Sequence, residues 1–295
     1  MGFEQCHPTV NLIYFAVAFY TTFIFKHPVF LIISFISAFA YSIKRNGIRS
    51  FIFNMVLLPL GIAFALYYSS YNHFGVTVLE QNLIGNSITL ESIVYGGLLS
   101  IKVMTALMWL TSLYSVFTSD KVVYLFGAIS PKLSLVLSIL LRLLPRLKRQ
   151  SIIINNARKG IGRGIGQGNI FKRILNLFSV ISILITWMIE TLGQSSVSMH
   201  SRGSSLRGRR AYSIYRFDSR DRAYVVAMFF CMTLVLMAVM LGQCDAVYDP
   251  MIRISMPTAV SWVFYGGYFC FAVMPMALEL WTEYSFYRSR KAIKG

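Results

Sequence analysis

Long apolar runs, separated by loops whose charge alternates, constrain this chain more than any other feature. The runs are Thr9–Phe25, Pro28–Ile43, Phe51–Ser70, Ser92–Phe117, Ala223–Leu241 and Thr258–Leu280. About 20 apolar residues in a helix cross the roughly 30 Å hydrocarbon core of a bilayer, so each run reads as a transmembrane helix. The first two are short and separated only by Lys26 and His27, which permits a tight hairpin or one broken helix. Composition agrees: 56% of residues are hydrophobic and 13% charged, where a soluble domain carries about a quarter charged residues. The segment "MGFEQCHPT" has no Lys or Arg and lacks the basic start of a signal peptide. Cys6, Cys231, Cys244 and Cys270 show no paired spacing. They read as small apolar residues, not as a disulfide framework or a zinc site.

Lys and Arg are retained on the cytoplasmic side of membrane helices. The link "KRNGIR" after the second run is basic, the stretch from Tyr71 to Glu91 has no Lys or Arg, and the centre of the chain is strongly basic. After the fifth run, "GQCDAVYDPMIRISM" holds two acids and one Arg, and the tail "YRSRKAIKG" is basic again. This alternation predicts six spans with both termini cytoplasmic; Lys26-His27 is the discordant pair. It also divides the chain into an N-terminal membrane part of four spans (1–117), a basic cytoplasmic region (118–222) and a C-terminal membrane part of two spans with a basic tail (223–295). The net charge is +17, and residues 118–222 carry most of it, with 18 Lys and Arg against four acids. The apolar stretch Ile170–Ile189 could pass as a further span. Crossing there would put the seven arginines from Arg202 to Arg222 outside, so charge favours a helix along the inner face or against other helices.

Within the basic region, Pro131 can open a helix, and "PKLSLVLSILLRLLPRLKRQSIIINNARKG" reads as one long helix kinked at Pro145. Leu140, Leu143, Leu144 and Leu147 fall on one face, and Arg142, Arg146 and Arg149 on the other. A second helix runs from about Phe171 to Ser201 and ends among small residues that permit close helix approach. Glycines stand at both C-termini, as helix caps commonly require: Gly160 or Gly162 for the first, Gly203 for the second. Each helix therefore finishes with an arginine beside a glycine, Arg163 or Arg202, suited to an acidic groove on a partner.

These residues resemble the transmembrane (T) component of energy-coupling factor transporters, which are ATP-binding-cassette importers for vitamins and transition metals. "LRLLPRLKRQSIIINNARKG" is similar to the family's Pro-containing helix leading to an Ala-Arg-Gly signature. Ser198-Met199-His200-Ser201-Arg202-Gly203, followed by Gly208-Arg209-Arg210-Ala211, is similar to its second signature, Ala-Met-x-Ala-Arg-Gly and Gly-Arg-Arg-Thr. The first Ala-Arg-Gly is altered: Ala157-Arg158-Lys159-Gly160 delays the glycine, and Gly162-Arg163-Gly164 replaces the alanine. The resemblance covers roughly residues 5–241, and Thr258–Leu280 exceeds the family's minimal pattern. It implies an all-α integral membrane protein with about six transmembrane helices and two long cytoplasmic coupling helices crossing as an X. It implies two ATPase subunits docked by Arg202 and by Arg163 or Arg158. Gly203 and Gly164 would terminate the helices, and Ser201 would permit close approach. It further implies a substrate-capture membrane subunit (S component) held on the apolar faces around Leu140–Leu147 and Phe178–Ile185. The setting would be a prokaryotic plasma membrane, with anionic lipid meeting the basic surface.

Other chemistries fit poorly. "GIGRGIGQG" lacks the lysine of a phosphate-binding loop and follows a helix, so the chain is expected to leave ATP hydrolysis to partners and to use no cofactor. Alternating glycines weaken a helix, which predicts a mobile link. His7, His27, His73 and His200 have no metal-ligand spacing. Glu279 and Glu283 read as solvated interfacial carboxylates, and Lys102 as a charge inside the fourth span that snorkels or meets a partner subunit. Too few aromatics interleave the basic residues for nucleic-acid binding. Two other readings remain: a membrane scaffold recruiting a soluble partner or lipid through basic helices, and a stand-alone secondary transporter.

Overall fold

The computed structural model describes residues 2–72, 74–81, 87–203 and 215–294. In chain order it contains a 3-10 turn at Phe3–Gln5, then α1 (Pro8–Ile24), α2 (Pro28–Asn46), α3 (Ile48–Tyr71), β1 (Val78–Gln81), β2 (Ser87–Thr89) and α4 (Leu90–Val116). There follow α5 (Ser119–Ile129), α6 (Pro131–Gly160), α7 (Ile170–Ser201), α8 (Ser219–Met240), β3 (Ala246–Val247), β4 (Arg253–Ile254) and α9 (Ala259–Lys294). The chain is an all-α membrane protein. Among the described residues α2, α3, α4, α7, α8 and α9 are long and apolar enough to cross a bilayer, and α1 is a shorter apolar helix. Two compact units partition it, Met1–Thr118 with Tyr215–Gly295, and Ser119–Ile214.

Local chemistry sets the helix boundaries in the first unit. Pro8 and Pro28 occupy the first helical turn, where a missing N–H costs nothing. The preceding His7 and His27 cap these helices by accepting from the Thr9 and Val29 amides at 3.4 Å. Lys26-His27 therefore separates two helices and does not merely interrupt one. His27 is buried, its ring against Phe30 and Tyr265, and burial lowers its pKa. Gly47 closes α2 at φ 66°, a left-handed conformation costly for other residues, and donates to the Ile43 carbonyl at 2.8 Å. The short antiparallel pairs β1–β2 and β3–β4 were not foreseen from the sequence.

The core of this unit is aromatic. Trp109 of α4 lies against Tyr14, Phe15 and Tyr41, and Phe271 of α9 against Tyr14. Phe3 is buried in the same cluster, so the polar-looking N-terminal segment anchors on its one large apolar side chain. Buried polar tips find partners: Tyr14 Oη donates to the Ala272 carbonyl at 3.1 Å, and Tyr268 Oη to Thr21 Oγ1 at 3.2 Å. Hydrocarbon supplies no hydrophobic drive between membrane helices, so close packing has to hold them. Glycines permit it between α3 and α4. A Cβ on Gly96 would lie 2.8 Å from the Ala65 carbonyl oxygen, and one on Gly61 would run into the Met104 sulfur.

Contacts sort the helix ends of this unit into two groups. At one end Lys44 Nζ meets Glu283 Oε2 at 2.6 Å, and Arg45 pairs with Glu4 and, at 3.8 Å, with Glu279. Arg45 Nε also donates to Ser115 Oγ at 3.1 Å, and the His7 amide to Asp221 Oδ1 at 3.2 Å. The starts of α1, α3 and α8 and the ends of α2, α4 and α9 thus gather at a basic end. At the other, Tyr248 Oη donates to the Lys26 carbonyl at 2.9 Å, and Tyr95 packs between Phe74 and Tyr248. One expectation changes here. Glu279 is buried and paired, not solvated, because Arg45 and Tyr41 reach it from α2. Lys102 donates to the Phe23 carbonyl at 2.8 Å, where the C-terminal end of α1 leaves carbonyls without helical partners.

The second unit comprises α5, α6 and α7. Helix α5 is an addition to the sequence-based account, and Ser134 Oγ of α6 donates to its Val123 carbonyl at 3.2 Å. Helix α6 is one continuous helix with Pro145 inside it. Leu143 and Ile154 are its buried apolar residues, whereas Leu140, Leu144 and the arginines 142, 146 and 149 are exposed. Helix α7 carries Lys172, Asn176, Ser179, Thr186 and Glu190 along one side and exposes the apolar Phe178, Ile181, Ile185 and Ile189. An exposed apolar surface of that extent suits lipid or a partner.

Candidate docking site

The C-terminus of α6 closes through a paired hydrogen-bond pattern. Gly162, at φ 74°, donates to the Lys159 carbonyl at 3.1 Å, and the Arg163 amide to the Arg158 carbonyl at 2.9 Å. This is the arrangement in which a left-handed glycine lets the chain turn back over the last helical carbonyls. The terminating residue is thus Gly162, one of the two glycines read from the sequence pattern, and not Gly164, which the resemblance implied. Gly164 has a different role. It is buried, its amide donates to Gln167 Oε1 at 2.9 Å, and a Cβ there would collide with the Lys159 side chain.

The glycine-rich stretch after α6 is pinned and does not form the mobile link its composition suggests. Asn155 Oδ1 accepts from the Ile165 amide at 3.0 Å, and Asn176 Nδ2 donates to the Gly164 carbonyl at 3.1 Å. Arg173 Nε donates to the Gly168 carbonyl at 3.1 Å, and Asn169 caps α7 by accepting from Ile170 at 2.8 Å. Amide side chains from both flanking helices thus satisfy backbone groups that glycine leaves open to water. Asn155, Gln167 and Asn176 were not singled out from the sequence; their signal is the spacing of amide residues on both sides of the glycines.

The two candidate arginines of this turn are not equivalent. Arg158 is half-buried, and its Nε donates to the Arg163 carbonyl at 3.2 Å, bracing the turn from inside. Arg163 is exposed, and among the described residues its guanidinium has no partner.

At the far end of α7, Ser201 is the last helical residue, Arg202 the cap, and Gly203 follows at φ 75°. The Gly203 amide donates to the His200 carbonyl at 3.0 Å, so Gly203 does terminate this helix. Ser201 Oγ turns back to the Ser198 carbonyl at 2.9 Å and leaves a small, internally satisfied surface beside the arginine. Arg202 is exposed, also without a partner among the described residues. The register differs between the two ends: Arg202 precedes its terminating glycine, and Arg163 follows its own. The structure does not bring the two together. From Asn176, which touches the first turn, to Arg202 the helix rises about 40 Å at 1.5 Å per residue.

No family model matches the chain. One curated relative, the energy-coupling factor transporter transmembrane protein EcfT of Lactococcus lactis subsp. cremoris, is 38% identical over 101 residues, 33% of this chain and 37% of its own length. The protein of the same name from Lacticaseibacillus paracasei is 33% identical over 91 residues, covering 30% and 34%. The matches support an energy-coupling factor T component. The chain spans about a third of the length of these curated relatives.

Among the described residues there is no cluster of three or more His, Cys, Asp or Glu side chains able to hold a metal. Of the positions that resemble the second signature, Ser198 to Gly203 are described, and Gly208, Arg209, Arg210 and Ala211 lie outside the described residues.

Proposed function

We propose that the chain is the transmembrane coupling subunit of an energy-coupling factor importer for a vitamin or transition-metal ion. It transmits the ATP-driven motion of two partner ATPases to a separate substrate-capture S component. In this account it is a multi-pass protein of a prokaryotic plasma membrane with both termini cytoplasmic, so the basic end of the first unit faces the cytoplasm. Anionic lipid meets the basic surfaces there. Helices α6 and α7 are the coupling helices, crossing as an X, and Pro145 shapes the first by removing one helical hydrogen bond.

One observation carries the proposal. Two glycine-closed helix ends about 40 Å apart each present an exposed arginine free of intramolecular partners among the described residues. A cation at a helix C-terminus is favoured by the helix dipole, and a guanidinium fits a carboxylate bidentately. Two such ends at that separation suit one acidic groove on each of two subunits. Arg163 and Arg202 are therefore the docking pair, with Arg158 and Gly164 shaping the first turn and Ser201 allowing close approach. The apolar surfaces of α7 and the exposed leucines of α6 are where the S component packs.

Charge reversal tests this. Arg163→Glu with Arg202→Glu is expected to abolish co-purification with the ATPase subunits while membrane insertion stays intact. Undiminished ATPase binding by the double variant would refute the docking assignment.

A further inference from the structure

The basic end of the first unit carries a groove that the coupling role does not use. It has a volume of about 540 Å³ and lies between the start of α3 and the end of α4, with Asn46 and Arg49 at its rim and Phe53, Leu110 and Tyr114 in its walls. Lys44 and Arg45, a turn before Arg49, are both neutralised by carboxylates. Arg49 is exposed and has no ion pair or hydrogen bond among the described residues, and neither has the Asn46 amide. The Ser50 and Thr111 hydroxyls are already engaged, with Ser42 and the Met108 carbonyl. Arg49, the Asn46 amide and the Tyr114 hydroxyl are the donors left open among the described residues.

Below Arg49 the chemistry changes within one stripe of α3. Phe53, Val56 and Leu60 follow it at helical spacing, all exposed, and Leu110 and Val103 are exposed on α4. From Arg49 to Leu60 the helix descends about 16 Å, close to the roughly 15 Å of hydrocarbon in one leaflet. A cation and an amide at the interface, above an apolar track one leaflet deep, match an amphiphile with an anionic head and hydrocarbon tails.

We propose that this groove is a specific site for one anionic phospholipid of the inner leaflet. Its phosphate sits on Arg49 and Asn46, and its acyl chains lie along Phe53, Val56 and Leu110. An extended peptide would need backbone hydrogen-bonding groups along the groove, which this apolar track does not offer.

The test uses the full chain in detergent, titrated with phosphatidylglycerol or phosphatidylcholine and followed by native mass spectrometry. One phosphatidylglycerol is expected to bind in preference to phosphatidylcholine and to resist competition by inorganic phosphate. Arg49→Gln should weaken it about fivefold, the effect of one basic residue at an anionic surface. Arg288→Gln, an equally exposed cation at the same end outside the groove, should not. Equal retention by Arg49→Gln, equal loss with Arg288→Gln, or displacement by phosphate would overturn the site. So would a photoreactive benzophenone in place of Tyr114 that captures a protein in cell membranes and not phospholipid.

Discussion

Arg45 shows how a single side chain fastens the helices of the first unit. Its guanidinium pairs with Glu4 and Glu279 and bonds Ser115, so it joins the N-terminal turn, α2, α4 and α9. Stranding one charge of a fully buried pair costs about 3–5 kcal/mol. The Arg45 and Glu4 side chains keep 20% and 39% of their surface exposed, so water offsets part of that cost. Arg45→Met is therefore expected to lower unfolding stability by about 1–3 kcal/mol, and Arg45→Met with Glu279→Leu to recover a large part of it. A thermal or denaturant titration of the detergent-solubilised protein measures both. The sequence could not disclose this network. Glu283 and Lys44 stand 239 positions apart, and an isolated carboxylate at the end of an apolar run looks the same whether it meets water or an arginine. Arg158 and Arg163 were indistinguishable for a related reason. Motif spacing names both, and only the hydrogen bond from Arg158 to the Arg163 carbonyl assigns one inward and leaves the other exposed.

At the scale of elements, prolines, capping histidines and hydropathy made the helices legible. The expected runs Pro28–Ile43, Phe51–Ser70 and Ala223–Leu241 correspond to α2, α3 and α8 within a few residues. What escaped was structure without a long apolar run. Helix α5 has 11 residues, too few to signal a span, and the paired strands have two to four residues each. The basic tail was read as a segment after the last span, yet α9 continues through it to Lys294, since nothing in "YRSRKAIK" breaks a helix. The turn after α6 was misjudged because glycine content signals freedom, while the amides that remove that freedom come from α6 and α7. Close packing of α3 on α4 gives a direct test. Gly96→Val would press its Cβ on the Ala65 carbonyl, and overpacking of this kind costs about 1–3 kcal/mol. A lowered melting temperature with unchanged helical content is the expected outcome.

For the whole molecule, charge and connectivity tell one story. The chain leaves the first unit at the end of α4 and re-enters it at the start of α8, and both lie at the end where Lys44, Arg45 and Arg49 gather. The proposed orientation makes that end of the first unit cytoplasmic. Helix α9, which exceeds the family's minimal pattern, is no appendage: it packs on α2 and α8 and holds Lys44 through Glu283. The central claim is that α6 and α7 each deliver one arginine to a separate ATPase. Photo-crosslinking in the assembled transporter tests it most directly, with a photoreactive residue placed in turn at positions 158, 163 and 202. The account predicts ATPase adducts from 163 and 202, and weak or no adducts from 158. ATPase capture from 158 alone, or none from 202, would contradict it.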